Sequence, residues 1–472
     1  MATPPPIPAM ERQLNIVNIS LALTGGSSPT TPGSESRVLF EVKVNEEKIG
    51  LLEATVSEIG LPLGLSQALS IESRESNYKV PDHIAAALGQ VVQQNAQPLW
   101  LSFPLPSGYL PVVPWESLLQ SQLQVPILRL CYTEVQPVVS SGSLDIVVCF
   151  SFPAAKMRIQ ALQPAEVIHY YFDHVPENIR QYTTFHVFAD SSVQYILKDV
   201  SARHSDCKIV VYDPGMASRY EVPEQDPTPE ACTTDLESPW LLWMRDAMGT
   251  LSADLVHFFC HGYLGREDGF LCFSQSPLRN DDELYSRFVG ARQICTFLDQ
   301  VGAWSVAFSS QPGNYSVAGL RLLQDQISRI RPGPVLFHDM LLDPAAVNLN
   351  SAYQYAYAIE EAPAPESAAI SLYCHPDWAM PVTEDESEQL LNQLTLAGRM
   401  PNVFKSGENT PSWLASGQRN LERSLAQLIS TAPGDQAEIL QSGQAEALKF
   451  TADVFQRHAL KLKVGGEGEG NG

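Results

Sequence analysis

The chain is short of positive charge. Its 472 residues include 30 Lys and Arg against 53 Asp and Glu, so the formal net charge is −23. Proteins that bind duplex nucleic acid recruit Lys and Arg to displace condensed counterions, and anionic membranes attract the same residues. Here the basic residues are scattered and form no stripe, so neither nucleic acid nor membrane is expected as a partner. Long apolar runs are missing too. None reaches the roughly 20 residues that span a bilayer, and the start, MATPPPIPAMERQ, has no basic n-region and no apolar h-region, which argues against a secretory leader. No CxxC pair occurs among the 8 cysteines, which argues against a zinc site. The cysteines are dispersed, and several lie inside apolar runs such as IVVCF and VHFFC. Reduced, buried thiols look like this, so a cytoplasmic protein is expected. There is no GxxxxGK[ST] and no GxGxxG after a strand, which excludes nucleotide hydrolysis. No cofactor and no metal are expected.

What is present is enough for a large core: 44% of the residues are hydrophobic. At roughly 100–200 residues per domain, the length predicts two to four units. RVLFEVKV (37–44) alternates at period two, as a half-buried strand does, and HIAAALGQVVQQN (83–95) reads as a helix. After residue 143 the pattern changes. LDIVVCFSF, FHVFAD, KIVVYD, DLVHFFC, WSVAFSS and PVLFHDM are continuous apolar runs, most of them separated by helix-like segments. Continuous apolarity marks strands covered on both faces, and alternation with helices predicts a mainly parallel α/β sheet. AAISLYC (368–374) is read as a further edge strand, the acidic segment 220–239 as a mobile loop, and three amphipathic helices are read beyond residue 383. The expected organisation is a disordered Pro-rich tail (1–12), an N-terminal α+β subdomain (13–140), an α/β core (141–380), a C-terminal helical region (383–463) and a flexible tail (464–472).

The stretch most suggestive of chemistry is DLVHFFCHGYLGREDGFLCFS (254–274). In an open parallel sheet, ligands bind at the carboxyl ends of strands. His261 falls at such an end, and Gly262 beside it offers an unhindered N–H. His257 lies inside the strand and reads as a core histidine. Cys260 points to the opposite side from His261 on an extended backbone and reads as core, as do Cys272 and Cys295. The next apolar strand, in AWSVAFSSQPGNYSVAG (303–319), exits at residues 309–311, where a nucleophile facing His261 would belong. His338 and Asp339 could pair at a third strand exit, with no nucleophile evident beside them. Asp254, Glu267 and Asp268 flank the His-Gly turn and read as solvated acids.

The order of these features resembles the CHAT domain, a caspase-like member of the clan of caspases, metacaspases and separase. The resemblance rests on Pro114-Trp115-Glu116 in YLPVVPWESLL, on His261-Gly262 at a strand end, on the strand exit at 309–311, and on the closing RPGPVLFHDM with its aromatic-bearing helix. It covers roughly residues 95–375. It implies a caspase-like sheet flanked by helices and a Cys–His dyad in which His261 is the base and Gly262 lines an oxyanion-type position. The family's cysteine would fall at Gln311, which has no ionisable nucleophile. Shifting the alignment by one or two residues brings Ser310 or Ser309 there instead, but an alcohol is much harder to deprotonate than a thiol and needs a firmly held third group.

The expectation is therefore a pseudopeptidase that acts as a regulatory or protein-binding module with a protein or peptide partner. The resemblance loosely implies a bacterial signalling or defence setting. The alternative is an active peptidase using His261 with Ser309, Ser310 or another nucleophile. The acidic clusters at 220–239 and 383–388 lie outside the strands, so the net charge decorates the fold and leaves binding of a basic peptide open.

Overall fold

A computed structural model describes residues 14–374 except 23–36, 45–46, 62–77, 96, 106, 132–143, 154–162, 205, 221–235, 250, 266–267, 281–285, 311–316, 332 and 358–361. The Pro-rich start, Gln311, the C-terminal helical region and the final tail lie outside the described residues, as does most of the acidic segment read as a loop.

The apolar runs become strands close to where their composition puts them. The described strands are β1 (Asn15–Leu21), β2 (Arg37–Val44), β3 (Glu47–Thr55), β4 (Leu99–Ser102), β5 (Ile127–Leu130), β6 (Leu144–Phe150), β7 (Thr183–Ala189), β8 (Lys208–Val211), β9 (Leu255–Phe259), β10 (His261–Leu264), β11 (Gly269–Phe273), β12 (Arg287–Gly290), β13 (Ser305–Ser310), β14 (Val335–Asp339) and β15 (Ile370–Cys374). Between them run α1 (Val56–Ile59), α2 (Asp82–Asn95), α3 (Trp115–Leu123), α4 (Pro164–His174), α5 (Glu177–Arg180), α6 (Gln194–Arg203), α7 (Pro239–Met248), α8 (Ala291–Gln300), α9 (Val317–Ile330) and α10 (Val347–Tyr357).

Twelve strands form one sheet in the order β3-β2-β1-β4-β5-β15-β14-β13-β9-β6-β7-β8, and β10-β11-β12 form a separate small sheet. Most neighbours in the large sheet are parallel; β1–β2, β2–β3 and β14–β15 are antiparallel. The fold is thus α/β with a large, mostly parallel sheet flanked by helices. β15 corrects the sequence reading. It is not an edge strand but lies inside the sheet, antiparallel to β14 and parallel to β5. Its continuous apolarity, buried at every residue, fits an interior position better than an edge.

The sheet is covered on both faces. One apolar cluster includes Val256, Phe258, Phe308, Phe337, Leu320, Leu323 and Trp115. The other includes Leu255, Phe259, Ala307, Leu336, Tyr171 and Tyr353. The Pro114-Trp115-Glu116 motif opens α3, with Pro114 at its N-cap. Trp115 is buried, stands edge-on to Phe40 and donates its indole N–H to Leu110 O at 2.8 Å. Glu116 is buried against Arg129 of β5. Both motif side chains therefore serve packing.

Candidate functional site

The β9 and β13 strands are neighbours, with Phe259 opposite Ser309. Their carboxyl ends therefore open side by side, and His261 follows one of them directly. His261 does not sit in a loop, however. The chain turns at Cys260, and His261 is the first residue of β10, paired with Cys272; Gly262 pairs with Leu271. His261 is 5% exposed. Of the two hydroxyls at the end of β13, Ser310 Oγ donates to the backbone oxygen of His338 at 3.4 Å.

Ser309 has a different surrounding from the one a dyad with His261 implies. Its Oγ lies 2.8 Å from His257 Nε2 and 2.9 Å from His338 Nδ1. His257 Nδ1 is 2.7 Å from Tyr353 Oη, which is 3.1 Å from Tyr171 Oη. On the other side, His338 Nε2 lies 3.3 Å from Asp343 Oδ2. One direction of donation runs through all of them with a neutral His257. Tyr171 donates to Tyr353, Tyr353 to His257 Nδ1, His257 Nε2–H to Ser309, Ser309 to His338 Nδ1, and His338 Nε2–H to Asp343. Asp343 also accepts the backbone N–H groups of Asn348 and Leu349, at 3.0 and 2.9 Å.

Burial governs the protonation of this chain. It drives His257 well below the ordinary histidine range, with the neighbouring His338 adding to the effect, so His257 is neutral. Burial pushes the Tyr171 and Tyr353 hydroxyls up, which keeps both as donors. Burial also opposes the ionised form of Asp343, but the hydrogen bonds from His338 and the two backbone N–H groups outweigh it and hold the carboxyl below its usual range.

Asp343, His338 and Ser309 are the residue types of a hydrolytic triad, linked in the right order. Their setting is different. Ser309, His257 and His338 are all 0% exposed, and the Ser309 oxygen is shared between two imidazoles. A nucleophile has to meet a substrate carbonyl beside oxyanion donors, and this hydroxyl lies in the core between β9, β13 and β14. The array acts as a polar clamp. It satisfies buried groups from three adjacent strands and two helices, where each unpaired group would cost about 1–3 kcal/mol.

The sequence reading placed His338 beside Asp339. Instead, its carboxylate partner is Asp343, and the serine next to it comes from β13. Parallel register puts Ser309 opposite His338. Both residues are next to last in their strands, although in the apolar runs of the sequence Ser309 stands second and His338 third from the end. The thiols read as core are core: Cys149, Cys260 and Cys272 are fully buried, and burial pushes the Cys295 thiol up to about 12.

Strand order reverses between β6 and β9, and the chain covers its own crevice around the carboxyl ends of β6 and the adjacent β7. Ser274 N–H donates to Ser151 Oγ at 2.9 Å, and Ser191 N–H to Pro277 O at 3.0 Å. Asn280 Nδ2 donates to Phe152 O at 2.8 Å and to Asp190 Oδ2 at 3.2 Å. Residues 274–280 thus cap the position where an open parallel sheet commonly binds ligands. Among the described residues, no group of three or more His, Cys, Asp or Glu is arranged to hold a metal ion, and no helix is long and apolar enough to cross a membrane. No family model matches the chain, and neither a curated protein nor a solved structure matches it.

Proposed function

We propose that this chain is a caspase-like, CHAT-related protein without a working peptidase nucleophile. In this reading it acts in the cytoplasm as a regulatory or protein-binding module of a bacterial signalling or defence system. The adjacency of the β9 and β13 exits supports the family part, because His-Gly and the nucleophile position would face each other there. The observation that carries the loss of activity is the state of the β13 serines. Ser309 is locked between His257 and His338, and Ser310 is engaged by a strand carbonyl. Neither is held by His261, and position 311 is a glutamine. His261 and Gly262 would then be remnants of the dyad, kept for the fold of the β10–β11 hairpin, and the cleft would hold a peptide or protein without cleaving it.

The linked Asp343–His338–Ser309 array favours one second reading, a serine hydrolase whose Ser309 becomes accessible in another conformation. Labelling of the native chain with a fluorophosphonate and a thiol-directed electrophile separates the two readings. The pseudopeptidase reading expects no stoichiometric adduct and intact Arg-, Lys- and Asp-containing peptides. A single adduct on Ser309 or Ser310 that disappears in His338→Ala or His261→Ala would overturn it.

A further inference from the structure

Two arginines are buried between the sheet and α9, and only one of them is matched. Arg129 donates to Glu116 through Nε at 2.6 Å and Nη2 at 3.0 Å, and to the carbonyls of Pro111 and Val113 at 2.8 and 3.3 Å. Arg321, on the first turns of α9, is 4% exposed and has no such set. Its guanidinium lies over the Phe337 ring, 5.1 Å from the centroid, and its Nε–H has no hydrogen-bond partner among the described residues. The acids within electrostatic reach are Glu116 and Asp339. Glu116 is gripped on both oxygens by Arg129, and Asp339 spends Oδ1 on the Leu341 N–H at 3.0 Å; neither carboxylate accepts a hydrogen bond from Arg321 among the described residues. Asp325, one turn further along α9, takes Arg329 Nε at 2.8 Å and the Tyr373 hydroxyl at 2.7 Å.

A buried cation with an idle donor is costly unless something pairs with it. Folding alone does not call for one here, since a Met of similar length could cover Phe337 equally well. The idle fork lies at the carboxyl edge of β14, where the sheet meets α9 and α3. A guanidinium matches a carboxylate in a planar two-point contact. Glu116 and Asp339 stand close by, and their charge disfavours a dianion such as phosphate. We propose that Arg321 is the anchor of a binding site for a monoanionic carboxylate, either a small organic acid or a peptide carboxylate. This site borders the end of β13, where Asp339 pairs with Ser310, but uses neither His261 nor the β13 serines.

The test compares the full chain with Arg321→Met, by thermal melting at fixed pH and ionic strength in chloride, acetate or phosphate. Arg321→Met should melt above the native chain in chloride, because it removes an unmatched charge. Acetate at tenfold excess over its dissociation constant should raise the native midpoint by about 1–2 °C and leave the variant unmoved. In ¹⁵N-arginine spectra of the native chain, the Nε–H resonance missing from the variant should shift on acetate titration. Acetyl-trialanine with a free C-terminus should reproduce that shift if the source is a peptide, and its amide should not; acetate alone acting points to a small acid. The proposal fails if Arg321→Met melts lower or does not fold, or if acetate moves both chains equally. It also fails if phosphate outperforms acetate or the Nε–H signal stays still.

Discussion

His257 is where single-residue chemistry controls stability. It is held neutral in the core, while in the unfolded chain a histidine takes up a proton near pH 6.5. Its folded affinity for the proton is depressed, so its contribution is complete above about pH 6.5. As pH falls below that value, the unfolded chain gains a proton that the folded chain refuses. Stability then declines by up to about 1.4 kcal/mol per pH unit from this one group. Urea unfolding at pH 7.5, 6.0 and 5.0 should show the decline. His257→Gln, which keeps an amide in the chain of donors, should flatten the slope and should be less stable than the native chain at pH 7.5. An unchanged slope in the variant would remove His257 as the cause. None of this chain of donors shows in linear sequence. Each member looks like an isolated polar residue in or beside an apolar run, and only strand register brings Ser309, His257 and His338 together.

At the scale of elements, the contact between α9 and the β10–β11 hairpin is the most constrained. A Cβ on Gly319 would lie 2.4 Å from the Tyr263 carbonyl carbon, and one on Gly269 would lie 2.2 Å from Gly319 O. Backbone meets backbone there, and no rotamer change can relieve a clash. Within a helix, Gly→Ala ordinarily stabilises by about 1 kcal/mol. At Gly319 the sign should reverse, with Gly319→Ala destabilising by about 1–3 kcal/mol in urea unfolding and loosening the hairpin in hydrogen exchange. The strands of the large sheet were readable because continuous apolarity needs no partner to be recognised: DLVHFFC, WSVAFSS and PVLFHDM all became parallel strands. The hairpin was only half readable. Its Gly-rich turn was evident, but the need for Gly319, in a helix about fifty residues further on, comes from a tertiary contact with no local trace. AAISLYC was recognisable as a strand, and its interior position was not, since composition says nothing of sheet order.

Across the whole molecule, charges within the core connect the first strands to the last. The buried acid Glu116 faces both Arg129 and Arg321, and Arg129 also lies 5.5 Å from the Tyr373 ring of β15. Truncating one partner of a buried ion pair costs about 3–5 kcal/mol. The two truncations should not be equal. Arg129→Met leaves Glu116 with Arg321 still near it, whereas Glu116→Leu takes the paired carboxylate from Arg129 and leaves Arg321 only Asp339 within electrostatic reach. Glu116→Leu should therefore be the more destabilising, and adding Arg129→Met to it should recover much of the loss. Equal single losses that add in the double variant would argue against this shared charge.

The place of β15 bears on how the molecule is made. Strands β1–β5 lie on one side of it and β6–β9, β13 and β14 on the other, yet it comes after all of them along the chain. A ribosome releases the two flanks first, each ending in an unpaired row of N–H and C=O groups along β5 and β14. Those two edges stay open until residues 370–374 emerge and are threaded between them. For most of synthesis the sheet is thus two sheets with sticky margins, and β15, by joining them, ends the period in which those two margins can pair with the wrong neighbour.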